Sequence, residues 1–147
     1  MNDGSLRPSR FFLKNSVQKA EGKLRQRGLA ITSGKVIAEQ TLGFWISLFQ
    51  PHHYRLIGGT PIQAFPHKPT SENRSSIDGK LNRIREFRNR VYHNEPICFN
   101  GPSIDFTEAE IIKQLIFDLM EWMDPEICIY IKKFDSIDSK IKSVNYL

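Results

Sequence analysis

The segment Ile77 to Asn94, IDGKLNRIREFRNRVYHN, sets Ile77, Leu81, Ile84 and Val91 at helical spacing with Phe87 beside them. At roughly 3.6 residues per turn these positions make one apolar stripe, so the segment predicts an amphipathic helix that must be covered by other elements. Arg88 follows Ile77 by about three turns and falls in the middle of that stripe. A guanidinium cannot shed its proton, and burying it unpaired costs on the order of several kcal/mol. A helix with no further task would carry Leu there. Either Arg88 pairs across the core with a carboxylate such as Asp118 or Glu121, or it faces a cleft or subunit seam where an anion binds.

The neighbours of Arg88 bear on that choice. Asn89 and His93 are four apart and share a face, and Tyr92 lies one turn from Arg88. Pro96 excludes helical geometry at Glu95, which predicts a helix end near His93 or Asn94. Imidazole is the side chain best suited to proton transfer near neutral pH, although a single His at a helix end is more often a surface cap.

The rest of the chain is helical in pattern. Ser9 can cap a first helix to about Arg27, with Leu13, Val17, Ala20 and Leu24 inward and Gly28 as its stop. Its other face carries Lys14, Lys19, Lys23, Arg25 and Arg27, able to meet phosphates or simply to be solvated. A second helix is expected from Ser33 to Phe49, apolar all round from Leu42 and so central to the bundle, with Gly43 marking close approach by another helix. Residues 50–75, rich in Pro and Gly, read as a loop with a short helix near His52 to Ile57. The loop offers His53, Tyr54, Arg55, Phe65 and Lys68 as groups that can stack on bases. Ser75 or Ser76 caps the central helix, and Thr107 with Glu110 forms a capping box for a fourth. Asp124-Pro125 opens a fifth, marked by Ile127, Ile131, Phe134 and Ile141. No segment alternates as a strand does. The expected fold is all-α, an antiparallel bundle of about five helices, and helix pairs joined this tightly pack side by side.

Length, charge and cysteine usage narrow the function classes. A chain of 147 residues suggests a single domain over residues 9–147 behind a polar, disordered N-terminus at residues 1–8. A net charge of +5 favours a polyanionic partner. Cys98 and Cys128 are too few for a disulfide framework, and His52, His53 and His67 do not match the spacing of a metal face, so neither metal nor cofactor is expected. The longest apolar run, Leu42 to Phe49, is too short to span a bilayer, and the first residues lack a secretory core; a cytoplasmic protein without membrane contact is expected.

Phe87-Arg88-Asn89-Arg90-Val91-Tyr92-His93-Asn94-Glu95-Pro96-Ile97 resembles the signature segment of the Abi-like (abortive infection, AbiD/AbiF type) proteins of the HEPN superfamily, whose motif is an Arg, a polar residue and a downstream His. Leu42 to Phe49 is similar to that family's upstream helix and Phe65-Pro66 to its following loop, so the resemblance covers roughly residues 30–125. It implies a HEPN-like bundle that dimerises through the signature helix, and a metal-independent endoribonuclease that leaves 2′,3′-cyclic phosphate ends. Carried over, Arg88, Asn89 and His93 are the catalytic candidates, with Arg85, Arg90 and Tyr92 as secondary RNA-binding candidates. The implied role is phage defence by abortive infection or a toxin-like growth arrest, with RNA, a second copy of the chain, and an antitoxin or regulatory protein as partners. Helical geometry favours a shared site independently: five residues at ~100° each leave Arg88 and His93 ~140° apart on a straight helix, so a second copy can supply the missing group. Two other readings stand beside this one: a non-catalytic HEPN module that binds nucleotide, RNA or a partner protein, and a plain helical dimer with Arg88 ion-paired inside it.

Overall fold

The computed structural model describes residues 11–144; residues 1–8 and the cap expected at Ser9 lie outside the described residues. The described chain is mostly helical, with one small hairpin, and it divides between Pro61 and Ile62 into two compact units where the length suggested one domain.

In the first unit, α1 (Phe12–Gln26) buries Leu13, Ala20 and Leu24 at the expected spacing. It stops at Gly28, whose left-handed backbone lets the Leu29 N–H reach the Leu24 carbonyl at 2.9 Å and its own N–H the Arg25 carbonyl at 2.9 Å. The second helix is not continuous. It forms α2 (Ser33–Ala38) and α3 (Leu42–Ser47), because Thr32 and Thr41 adopt extended backbone and each caps a new helix through its hydroxyl. A Cβ at Gly43 would meet only the Thr41 hydroxyl at 3.8 Å, so this glycine marks the cap and not a close helix crossing. The apolar run is only partly central: Ile46 and Phe49 are buried while Leu42 and Trp45 stay exposed. The short helix expected in the following loop is present as α4 (Pro51–Leu56), opened by Pro51.

A 3-10 turn over Thr60–Ala64 leads into the second unit, which is built on α5 (Arg74–Tyr92). α5 begins earlier than expected. Asn73, not Ser75 or Ser76, is the cap: its Oδ1 accepts from the Ser75 and Ser76 amides while Ser76 Oγ accepts from the Asn73 amide. The chain then makes an antiparallel hairpin, β1 (Phe99–Asn100) with β2 (Ser103–Ile104), turning on Gly101, where no strand was expected. α6 (Thr107–Met123) packs on α5 and on α7 (Pro125–Lys132). The expected Thr107–Glu110 capping box does not form; Asp105 Oδ1 accepts from the Thr107 amide at 2.8 Å instead, and the Thr107 hydroxyl, followed by this amide, holds its carboxyl below the ordinary range. Asp124 caps α7 as expected. The fifth helix is also divided, because Asp135 accepts from the Ile137 amide and starts α8 (Ile137–Val144). The two breaks have one cause: a side-chain oxygen that satisfies a backbone N–H locally competes with helix continuation.

Candidate functional site

The C-terminal turn of α5 carries the candidate residues, and the way the helix ends decides how they are displayed. Asn94 takes the left-handed conformation, φ 55°, so that the Glu95 N–H donates to the Arg90 carbonyl at 2.9 Å and the Asn94 N–H to the Val91 carbonyl at 3.1 Å. This double bond pattern closes the helix after Tyr92 and leaves His93 as its C-cap, in agreement with the end inferred from Pro96. Arg90 straps the segment that follows. Its guanidinium donates to Glu108 at 2.7 Å and to the Pro96 carbonyl at 3.0 Å, and pairs with Glu95 at 3.7 Å.

Arg88 is not in a buried stripe. Burial fades along α5 from Ile77, fully enclosed, through half-buried Ile84 and Phe87 to Val91, 47 % exposed, and Arg88 itself is exposed. The ion pair of the structural alternative is absent: Arg88 meets no carboxylate among the described residues, Asp118 accepts from Gln114, and Glu121 pairs with Lys132. The guanidinium instead lies over the Tyr92 ring, 5.0 Å from its centroid, and donates to Asn89 Oδ1 at 3.2 Å. His93 stands edge-on to the same ring at 5.8 Å and 88°. Tyr92, 71 % exposed, is therefore the shared support of the cluster, with the cation on its face and the imidazole at right angles. Arg88, Asn89, Tyr92 and His93 are brought together at one exposed helix end. Arg90 is spent on the strap, and Arg85 sits half-buried farther up the helix, so neither joins the cluster.

The arrangement has a plain chemical capacity. A guanidinium with one donor engaged by a neutral amide keeps the others for an anion, and a neighbouring imidazole can exchange a proton with a group bound there. The base-stacking groups expected in the preceding loop fare differently: His53 and Phe65 are buried and cannot receive a base. His53 instead bonds the Ser47 carbonyl through Nδ1 at 2.9 Å, and burial lowers its pKa. On α1 the basic face is largely matched: Lys23 and Arg27 both pair with Glu39, and Arg25 with Glu21.

An open groove of about 380 Å³ adjoins the cluster and shares Arg88 with it. Its walls are Ile84 and Phe87 from α5, Ile112 and Ile116 from α6, and Ile137 and Ile141 from α8, with Lys113 and Lys140 also lining it. Sequence reasoning missed the groove. The signal was present in the spacing of Ile112 and Ile116, and of Ile137 and Ile141, on helices that each also place a lysine on the apolar side. Among the described residues no group of three His, Cys, Asp or Glu side chains could hold a metal ion, and no helix is long and apolar enough to cross a membrane. Protein-family models, curated proteins and solved structures were compared with the chain, and none matches it.

Proposed function

We propose that the protein is a metal-independent endoribonuclease of the HEPN type, working as a homodimer through α5. The observation that carries this reading is the exposed Arg88 guanidinium, free of any carboxylate among the described residues, resting on Tyr92 beside Asn89 and His93. The string RNRVYHNEP, which resembles the Abi-like signature, supplies the reaction class. The net charge gives further support, and its distribution is uneven. Residues 1–61 hold nine Lys and Arg against three Asp and Glu, a net of +6, while residues 62–147 hold twelve against thirteen, a net of −1. The excess lies outside the unit that carries the cluster, so it is the chain as a whole, at net +5, that suits a polyanionic partner.

In the proposed reaction an imidazole, His93 of one copy, takes the proton of a ribose 2′-hydroxyl. The freed oxygen attacks the adjacent phosphorus, the bond to the 5′-oxygen breaks, and that oxygen receives a proton from His93 of the second copy. The products are a 2′,3′-cyclic phosphate and a 5′-hydroxyl. Arg88 neutralises charge on the transferring phosphoryl group, and Asn89 fixes the guanidinium or the phosphate. Tyr92 offers an aromatic ring for base stacking, while Arg90, engaged by Glu108 and the Pro96 carbonyl, and half-buried Arg85 take no part at the cluster. DNA, lacking the 2′-hydroxyl, is spared. The biological setting that fits is growth arrest of a phage-infected cell, under the control of an antitoxin or regulatory protein, in the cytoplasm.

The test is incubation of wild-type and His93→Ala protein with structured and unstructured RNA in EDTA. Cleavage by the wild type alone, with cyclic phosphate ends, is the expected result. Tight RNA binding without cleavage by either protein would replace the enzyme with the binding module.

A further inference from the structure

The groove beside Arg88 is an apolar channel with an unmatched positive rim. Its walls present almost only hydrocarbon, and its volume of about 380 Å³ lies within the range of small-molecule sites, roughly 300–1,000 Å³. Three cations line it, and they are not equivalent. Lys113 is held by two carboxylates, Asp135 at 2.6 Å and Asp138 at 2.5 Å, which leaves its methylene stem to the wall. Arg88 and Lys140 form no ion pair among the described residues, and both are exposed. Lys113 and its two acids carry one net negative charge, so with Arg88 and Lys140 unpaired the groove's charged groups sum to +1, enough to match a single anionic head.

These features select the occupant. An extended peptide would bring backbone N–H and C=O groups against walls that offer them no partner, which is costly. A nucleotide base fails on the same ground. An unbranched hydrocarbon with one anionic end meets both parts of the site, with its chain against the isoleucines and its head between Arg88 and Lys140. We infer that this groove, walled by α5, α6 and α8, binds a medium-chain fatty carboxylate whose head group pairs with Arg88 and Lys140.

The inference stands apart from the ribonuclease reading, because its readout is ligand binding and not RNA cleavage. Calorimetric titration of the full chain with dodecanoate, below its micelle threshold, should show saturable one-to-one binding. Decanoate, shorter by two methylenes, should bind about tenfold more weakly at ~0.8 kcal/mol per methylene. Dodecanol, which lacks the charge, should also lose about tenfold, the size expected for two rim ion pairs. Lys140→Gln should weaken dodecanoate about threefold and leave dodecanol unchanged. Ile116→Glu, which puts a carboxylate on a partly exposed wall, should abolish binding while circular dichroism reports an intact fold. Three results would overturn the inference: no saturable binding, equal affinity for dodecanoate and dodecanol, or binding indifferent to both substitutions. Sedimentation showing self-association that Ile116→Glu abolishes, with no dodecanoate bound, would assign the groove to a second copy. Co-sedimentation with anionic phospholipid vesicles, again without dodecanoate binding, would assign it to a membrane surface.

Discussion

Replacing Arg88 by Ala separates the two roles a cation on this helix can have. The structure holds the guanidinium by a single neutral hydrogen bond to Asn89 and by the face of Tyr92, both exposed. An exposed cation–π contact is worth ~0.5–1 kcal/mol, and an exposed hydrogen bond adds little beyond it. Arg88→Ala should therefore cost about 1 kcal/mol of stability, a fall in Tm of ~3 °C for a chain of this length. A buried, ion-paired Arg would cost ~3–5 kcal/mol instead. RNA cleavage should respond on another scale: loss of a donor aimed at charge developing in the transition state lowers kcat by ~10²–10³. Urea unfolding followed by circular dichroism, run beside RNA cleavage in EDTA, measures both. A variant destabilised by more than ~3 kcal/mol would refute the exposed placement. One that keeps its stability and full cleavage would refute the assigned role.

Three further outcomes follow from the geometry. Burial lowers the pKa of His53, so the unfolded chain binds a proton that the folded one refuses; stability should fall as pH drops below ~6.5, by at most ~1.4 kcal/mol per pH unit, and be flat in this group above it. His53→Asn, which can keep a donor toward the Ser47 carbonyl, should remove that part of the slope in urea midpoints taken between about pH 7.5 and 5, and an unchanged slope would count against the buried assignment. At Asn94, with φ 55°, Gly should be neutral or stabilising by a few tenths of a kcal/mol, whereas Val should cost ~1–2 kcal/mol, both read from thermal melts. Arg90→Ala removes the donor to Glu108 and to the Pro96 carbonyl, and should accelerate hydrogen exchange in residues 95–106 while leaving the middle of α6 protected; uniform exchange would contradict the strap.

The legible parts of this chain were those written in local chemistry. Gly28, Pro96 and the Asp124-Pro125 pair are helix stops and starts whose backbone preference does not depend on the surroundings, and each acts where its residue type requires. The breaks at Thr41 and Asp135 were missed because hydrophobic period runs through both, while the deciding bond is a side-chain oxygen to one amide. At the site, the sequence singles out Arg88, Asn89 and His93, with Arg85, Arg90 and Tyr92 as secondary candidates; the structure gathers the first three with Tyr92 and leaves Arg85 and Arg90 outside. It does not carry the depth of each position. A helical wheel assigns Arg88 to a covered stripe because it assumes equal coverage along the helix, and here the covering elements leave the last turns open. Straight-helix geometry also separates Arg88 from His93, but the turn at His93 brings its ring back to Tyr92.

The candidate cluster sits on the final turn of α5, and that turn is held by Asn94, by the Arg90 strap and by little of the core. Ends held in this manner can melt and re-form while the remainder of the molecule stays native. Order at the cluster and thermal endurance are thus separable properties of this chain. A substitution that loosens the terminus can silence the cluster without altering a melting curve, and a screen for heat resistance would pass it unnoticed.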